Sequence, residues 1–105
     1  MTYLSNAFSL QMAPNGAVCE RVCLESARAE ARAQRAISIV GHADTAKVIG
    51  NLLGMDVAFN RQSITLGADD RLIVGQYVGP RLPEGTSVLP EGARIDWYRV
   101  SPQQE

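Results

Sequence analysis

Residues 37–54 read ISIVGHADTAKVIGNLLG, and the order of residue types in this stretch sets the architecture. Ile37, Ile39 and Val40 make a short apolar approach to Gly41–His42. From Asp44 onward Ala46, Ile49, Leu52 and Leu53 recur at the spacing of one helix face, and Gly54 is a stop of the left-handed type. The spacing predicts a helix over 43–53 that starts directly after the only histidine of the 105-residue chain.

Working toward the N-terminus, ESARAEARAQRA at 25–36 is rich in good helix formers, with Ser26 as its expected N-cap. Its arginines alternate with glutamates, which reads as a solvated face and not as a nucleic-acid site. Residues 17–24 are strand-like but alternate imperfectly, as at a sheet edge or a strand covered on both faces. Thr2–Ala7 is β-compatible and runs into FSLQMAPNG, where Pro14–Asn15–Gly16 signals a turn. Toward the C-terminus, VAFNRQSITL at 57–66 is expected to be extended, with Ile64 and Leu66 alternating against Ser63 and Thr65. GADD at 67–70 is a turn, and RLIVGQYV at 71–78 is the most hydrophobic strand, expected at the sheet centre. Residues 79–93 hold three prolines and three glycines and read as a long loop. RIDWYRV at 94–100 closes the chain as a strand, with Ile95, Trp97 and Arg99 opposed to Asp96, Tyr98 and Val100. No repeats or low-complexity tracts are read. The order predicts one α/β (α+β) domain over 1–105, a mixed sheet of roughly five strands flanked by helices.

Composition narrows the function. Hydrophobic residues make up 46% and charged residues 20%, an ordinary soluble composition. Ten Lys and Arg against eleven Asp and Glu leave a net charge of −1, without the basic surplus of a protein that grips duplex nucleic acid through many phosphates. A small anionic ligand remains compatible. The first sixteen residues lack a basic leader region, and no apolar run reaches the ~20 residues of a membrane span. In a strand Cys19 and Cys23 would sit about 13 Å apart on one face, too far to bridge; in a helical turn they could be neighbours, a poor metal site with no histidine nearby. They are expected to be reduced and mostly buried, in a cytoplasmic protein.

Few groups could do chemistry. There is no phosphate-binding glycine loop, and one histidine with two cysteines argues against a zinc site. Gly41 permits close backbone approach, and the helix start behind it presents free N–H groups to an anion. The same helix dipole disfavours a positive imidazole, so a general acid here would need a carboxylate partner. Alternatively, His42 caps the helix and packs. In the loop, Arg81 and Glu84 are either a fork and carboxylate for a phosphate site or a surface salt bridge. Ser5, Asn6, Ser9 and Gln11 around Phe8, which looks buried, suit hydrogen bonds to a base or ribose, or serve turn chemistry.

Taken in order, YLSNAFSLQM at 3–12, SIVGHADTA at 38–46, LLG at 52–54, Asn60–Arg61 and RLPEG at 81–85 resemble the small family that includes viral anti-CRISPR ring nucleases. That family was first met in archaeal viruses and has bacterial and prophage relatives. The resemblance spans nearly the whole chain. It implies a homodimer, in the host cytoplasm if virus-encoded, that binds cyclic tetra-adenylate across its two-fold axis and cuts it without a metal or cofactor. The products would be linear adenylates ending in a 2′,3′-cyclic phosphate, and loss of this messenger would silence type III CRISPR signalling. The family's histidine falls on His42, its arginine on Arg81 and its glutamate on Glu84. Substrate-binding positions fall on Asn6, Ser9, Gln11, Gly41, Thr45 and Arg61, although Gln11 stands where viral members are expected to carry asparagine. In this scheme His42 protonates the leaving 5′-oxygen, Arg81 stabilises phosphoryl charge and Glu84 offsets the helix dipole at His42. The competing classes are a non-catalytic dimer that sequesters a cyclic nucleotide or binds DNA, and an interaction protein that docks a partner through residues 79–92.

Overall fold

The computed structural model describes residues 1–103 and contains five strands and two helices. In chain order these are β1 (Thr2–Ser5), β2 (Ala17–Val22), α1 (Leu24–Ala33), β3 (Ile37–Ser38), α2 (Ala43–Leu53), β4 (Arg71–Val78) and β5 (Arg94–Pro102), with a 3-10 turn at Leu10–Met12. The sheet order is β2-β5-β4-β1-β3. β1 runs parallel to both β3 and β4, whereas β5 is antiparallel to β4 and β2. The expected mixed five-stranded sheet with helices is therefore present, and β4 lies at its centre.

Both sheet faces are covered, for a reason visible in β4. Leu72, Ile73 and Val74 form an unbroken apolar run, the pattern of a strand buried on two sides. Ile73 joins Leu4 and Trp97 on the face that receives Ala27 and Ala31 of α1 and Ala46, Ile49 and Leu53 of α2. Each fully buried Leu or Ile of this layer contributes roughly 1.5–3 kcal/mol. Leu72, Val74 and Val100 point the other way, where Ile39, Phe8, Met12, Ile64 and Leu66 cover them without a helix.

Several expectations are corrected. Residues 57–66 form no strand; the segment touches the sheet through one isolated bridge, Val40 to Phe59, and through side chains. Ser38 Oγ donates to Ala58 O at 2.6 Å, and Asn60 Nδ2 donates to Ser38 O at 2.8 Å. Its two-residue periodicity arises because Ile64 and Leu66 pack under the helix-free face, which selects alternate side chains without a ladder. The fifth strand is instead the short β3, from the apolar approach to His42. Cys23, not Ser26, is the N-cap of α1, and both cysteines are exposed because β2 is an edge strand and Cys23 sits at its end. Phe8 is half-buried. The charges of α1 are partly structural: Arg28 donates twice to Leu52 O at the end of α2, and Glu30 pairs with Arg99 of β5 at 2.6 Å. No helix among the described residues is long and apolar enough to cross a membrane.

Candidate functional site

The parallel strands β1, β3 and β4 end at one edge of the sheet, the edge where ligands collect in α/β folds. Asn6 follows β1, Gly41–His42 follow β3, and Gly79–Arg81 follow β4. Topology thus gathers three segments that are far apart in sequence.

His42 is the N-cap of α2, in extended conformation (φ −141°, ψ 121°). Its Nδ1 accepts the Thr45 N–H at 3.2 Å and lies 3.0 Å from Thr45 Oγ1. An amide N–H can only donate, so Nδ1 is unprotonated in this arrangement and the ring hydrogen sits on Nε2. The side chain therefore caps the helix through Nδ1 and leaves Nε2 outside the cap. Thr45 is buried and serves the imidazole.

A groove of about 790 Å³ beside this cap is lined by His42, Asp44, Thr45, Tyr77, Arg81 and Glu84. Arg81 and Glu84 are exposed. Among the described residues they form no ion pair with each other or with His42. The surface salt bridge is therefore not their role here, and the carboxylate contact to the imidazole is not made in the free chain. Tyr77, which the sequence reading passed over, donates its hydroxyl hydrogen to Pro80 O and props the loop where it leaves β4. Its signal was its place at the C-terminal end of a parallel strand. Gln76 lies within β4 opposite Asp96 and does not line the groove.

The loop contains a short repeat that the sequence reading missed, Leu-Pro-Glu-Gly at 82–85 and 89–92. Both copies fold alike. Thr86 N–H returns to Pro83 O at 3.3 Å and Ala93 N–H to Pro90 O at 3.1 Å, with Gly85 and Gly92 each at φ +80°. That positive φ at the third position is the type II pattern and requires glycine. Only the first copy brings its glutamate to the groove; Glu91 does not line it.

A second cavity, about 250 Å³, is lined by Asn6, Ser9, Gln11, Gly41 and Arg61, with Phe8 among its apolar residues. Gly41 N–H donates to Asn6 Oδ1 at 3.3 Å, tying the loop after β1 to the approach to α2. A Cβ at position 41 would stand 3.3 Å from Cγ of Arg61, so glycine leaves room for the arginine stem. Gly41 and His42 are consecutive but line different cavities, which places the polar set next to the histidine groove. The two guanidinium groups, Arg61 and Arg81, belong to different cavities of this pair. No cluster of three or more His, Cys, Asp or Glu suited to a metal exists among the described residues.

Protein B116 of Sulfolobus turreted icosahedral virus superimposes with a TM-score of 0.77, over 95% of this chain and 97% of that chain, at 23% identity. At that identity the likeness is one of fold. No curated protein matches the chain. A model of the STIV B116-like family matches residues 2–92, and the chain belongs to that viral protein family.

Proposed function

We propose that this chain is a metal-independent ring nuclease that binds cyclic tetra-adenylate and cleaves it, acting as a homodimer with one site per subunit. The observation that carries this is the convergence of His42, Arg81 and Glu84 in one groove, next to a polar cavity holding Asn6, Ser9, Gln11 and Arg61. A ribose 2′-oxygen attacks the adjacent phosphorus, the bond to the 5′-oxygen breaks, and a 2′,3′-cyclic phosphate remains. Holding the backbone in line supplies much of the rate, because the nucleophile belongs to the substrate. Arg81 offers a planar fork to the phosphoryl oxygens as their charge grows. His42 protonates the leaving 5′-oxygen, and the 2′-hydroxyl proton passes to solvent. Asn6, Ser9, Gln11 and Arg61 present donors and acceptors to base, ribose and phosphate edges. The consequence is removal of a defence messenger, in the host cytoplasm if the chain is virus-encoded.

One observation favours a second reading, a dimer that sequesters the ring without cutting it. In the free chain the Thr45 amide engages Nδ1 of His42, an arrangement in which the ring offers a hydrogen bond through Nε2. Incubating the protein with radiolabelled cyclic tetra-adenylate, with and without EDTA, separates the two. Linear products in both conditions support the nuclease; a bound but intact ring supports sequestration.

A further inference from the structure

We propose that Asp44 and Asn51 are positioning residues, which anchor the 81–88 segment along α2 so that Arg81 and Glu84 face His42 before any ligand arrives. The inference rests on the ring-cleaving reading of the groove. Residues 79–93 lie between β4 and β5 without helix or strand, a length at which a loop needs contacts of its own to stay in one place. Two such contacts come from one helix. Gly85 N–H donates to Asp44 Oδ2 at 3.1 Å, and Asn51 Nδ2 donates to Ser87 O. Positions 44 and 51 are two turns apart and share a face of α2. Asp44 also stands in the first turn, where the helix dipole favours a carboxylate. Its anchor point is the glycine directly after Glu84, inside the turn that carries the carboxylate to the groove.

The anchor has a catalytic consequence. Arg81 and Glu84 have no ion-pair partner among the described residues, so their place depends on the backbone that carries them. Releasing Gly85 frees Glu84 directly and leaves Arg81 held from one side only, by the Tyr77 contact to Pro80 O. A displacement of about 1 Å at a reacting centre can cost up to ~100-fold in rate. Ring binding falls less, because the polar cavity at Asn6, Ser9 and Arg61 is held by other contacts.

The test combines amide hydrogen exchange with kinetics. In Asp44→Ala, exchange at Gly85 and Thr86 is expected to quicken at least several-fold, and Asn51→Ala, which releases the Ser87 carbonyl, is expected to quicken the same two hydrogen-bonded amides to a smaller extent. Asp44→Asn keeps an oxygen acceptor without the charge and is expected to restore the wild-type exchange rate at Gly85 and most of the turnover lost in Asp44→Ala. With cyclic tetra-adenylate, Asp44→Ala is expected to lower kcat by roughly 10- to 100-fold with a smaller change in KM. In an Arg81→Ala/Glu84→Gln background the same change is expected to cost almost nothing more. Unchanged exchange at Gly85 in Asp44→Ala overturns the anchor. Losses from Asp44→Ala and Arg81→Ala/Glu84→Gln that multiply overturn its role in positioning Arg81 and Glu84. A wild-type protein inert toward the ring overturns the function, and the exchange comparison still decides the anchor.

Discussion

Nδ1 of His42 has two partners on a single residue, the amide of Thr45 at 3.2 Å and its hydroxyl at 3.0 Å. The amide serves only the neutral ring. The hydroxyl donates to neutral Nδ1 and accepts from Nδ1–H of the imidazolium, so Thr45 keeps this nitrogen partnered in both charge states. That gives the capping histidine a route to acid chemistry. Thr45→Val removes the hydroxyl and keeps the amide and the shape of the side chain. Its kcat for ring cleavage is expected to fall at least about 10-fold with ring affinity unchanged, while Thr45→Ser stays close to wild type, both read by steady-state kinetics.

The capping role of His42 is separable from the acid role proposed for it. His42→Ala is expected to destabilise the fold by about 1 kcal/mol through loss of the cap, measured by urea unfolding. His42→Asn restores a capping oxygen and is expected to recover most of that stability. Equal stability of His42→Ala and wild type would show that the cap contributes nothing.

The two Leu-Pro-Glu-Gly turns are an internal control. Glu84→Gln is expected to reduce kcat for the ring at least several-fold, because its carboxylate faces the groove. Glu91→Gln changes the same residue type in the same turn away from the groove and is expected to leave kcat at the wild-type value. Equal loss in both variants would move the effect from the groove to the loop as a whole.

The fold was legible wherever side-chain period and backbone pairing agree. Helix 43–53 with its Gly54 stop, and the buried run of β4, stand as read, because burial there selects one period. Residues 57–66 misled because any extended segment laid on an apolar face alternates, while a strand also needs a backbone partner. β3 was legible only as an approach to His42, since two residues carry too little pattern to mark a strand. At the site, residue types and order pointed to His42, Arg81 and Glu84, yet Asp44 and Tyr77 stayed hidden. Their roles are hydrogen bonds to loop backbone, which leave no periodic or motif signature.

Cys23 is expected to be a reactive thiol. The Ser26 hydroxyl and backbone N–H at the start of α1 hold it below the usual thiol range, and the side chain is exposed. A group with a lowered pKa ionises earlier as pH rises. In a Cys19→Ser background, the iodoacetamide rate is expected to climb at lower pH than that of an unstructured cysteine peptide. A profile matching the peptide would remove the helix start as the cause.

The most direct measurement is single-turnover cleavage of cyclic tetra-adenylate in EDTA by wild type and His42→Asn, with ring binding measured on both. Wild type is expected to yield linear adenylates ending in a 2′,3′-cyclic phosphate. His42→Asn, still capped and still binding the ring, is expected to be slower by about 100-fold or more. Wild-type cleavage that EDTA abolishes, or His42→Asn cutting at the wild-type rate, would contradict it.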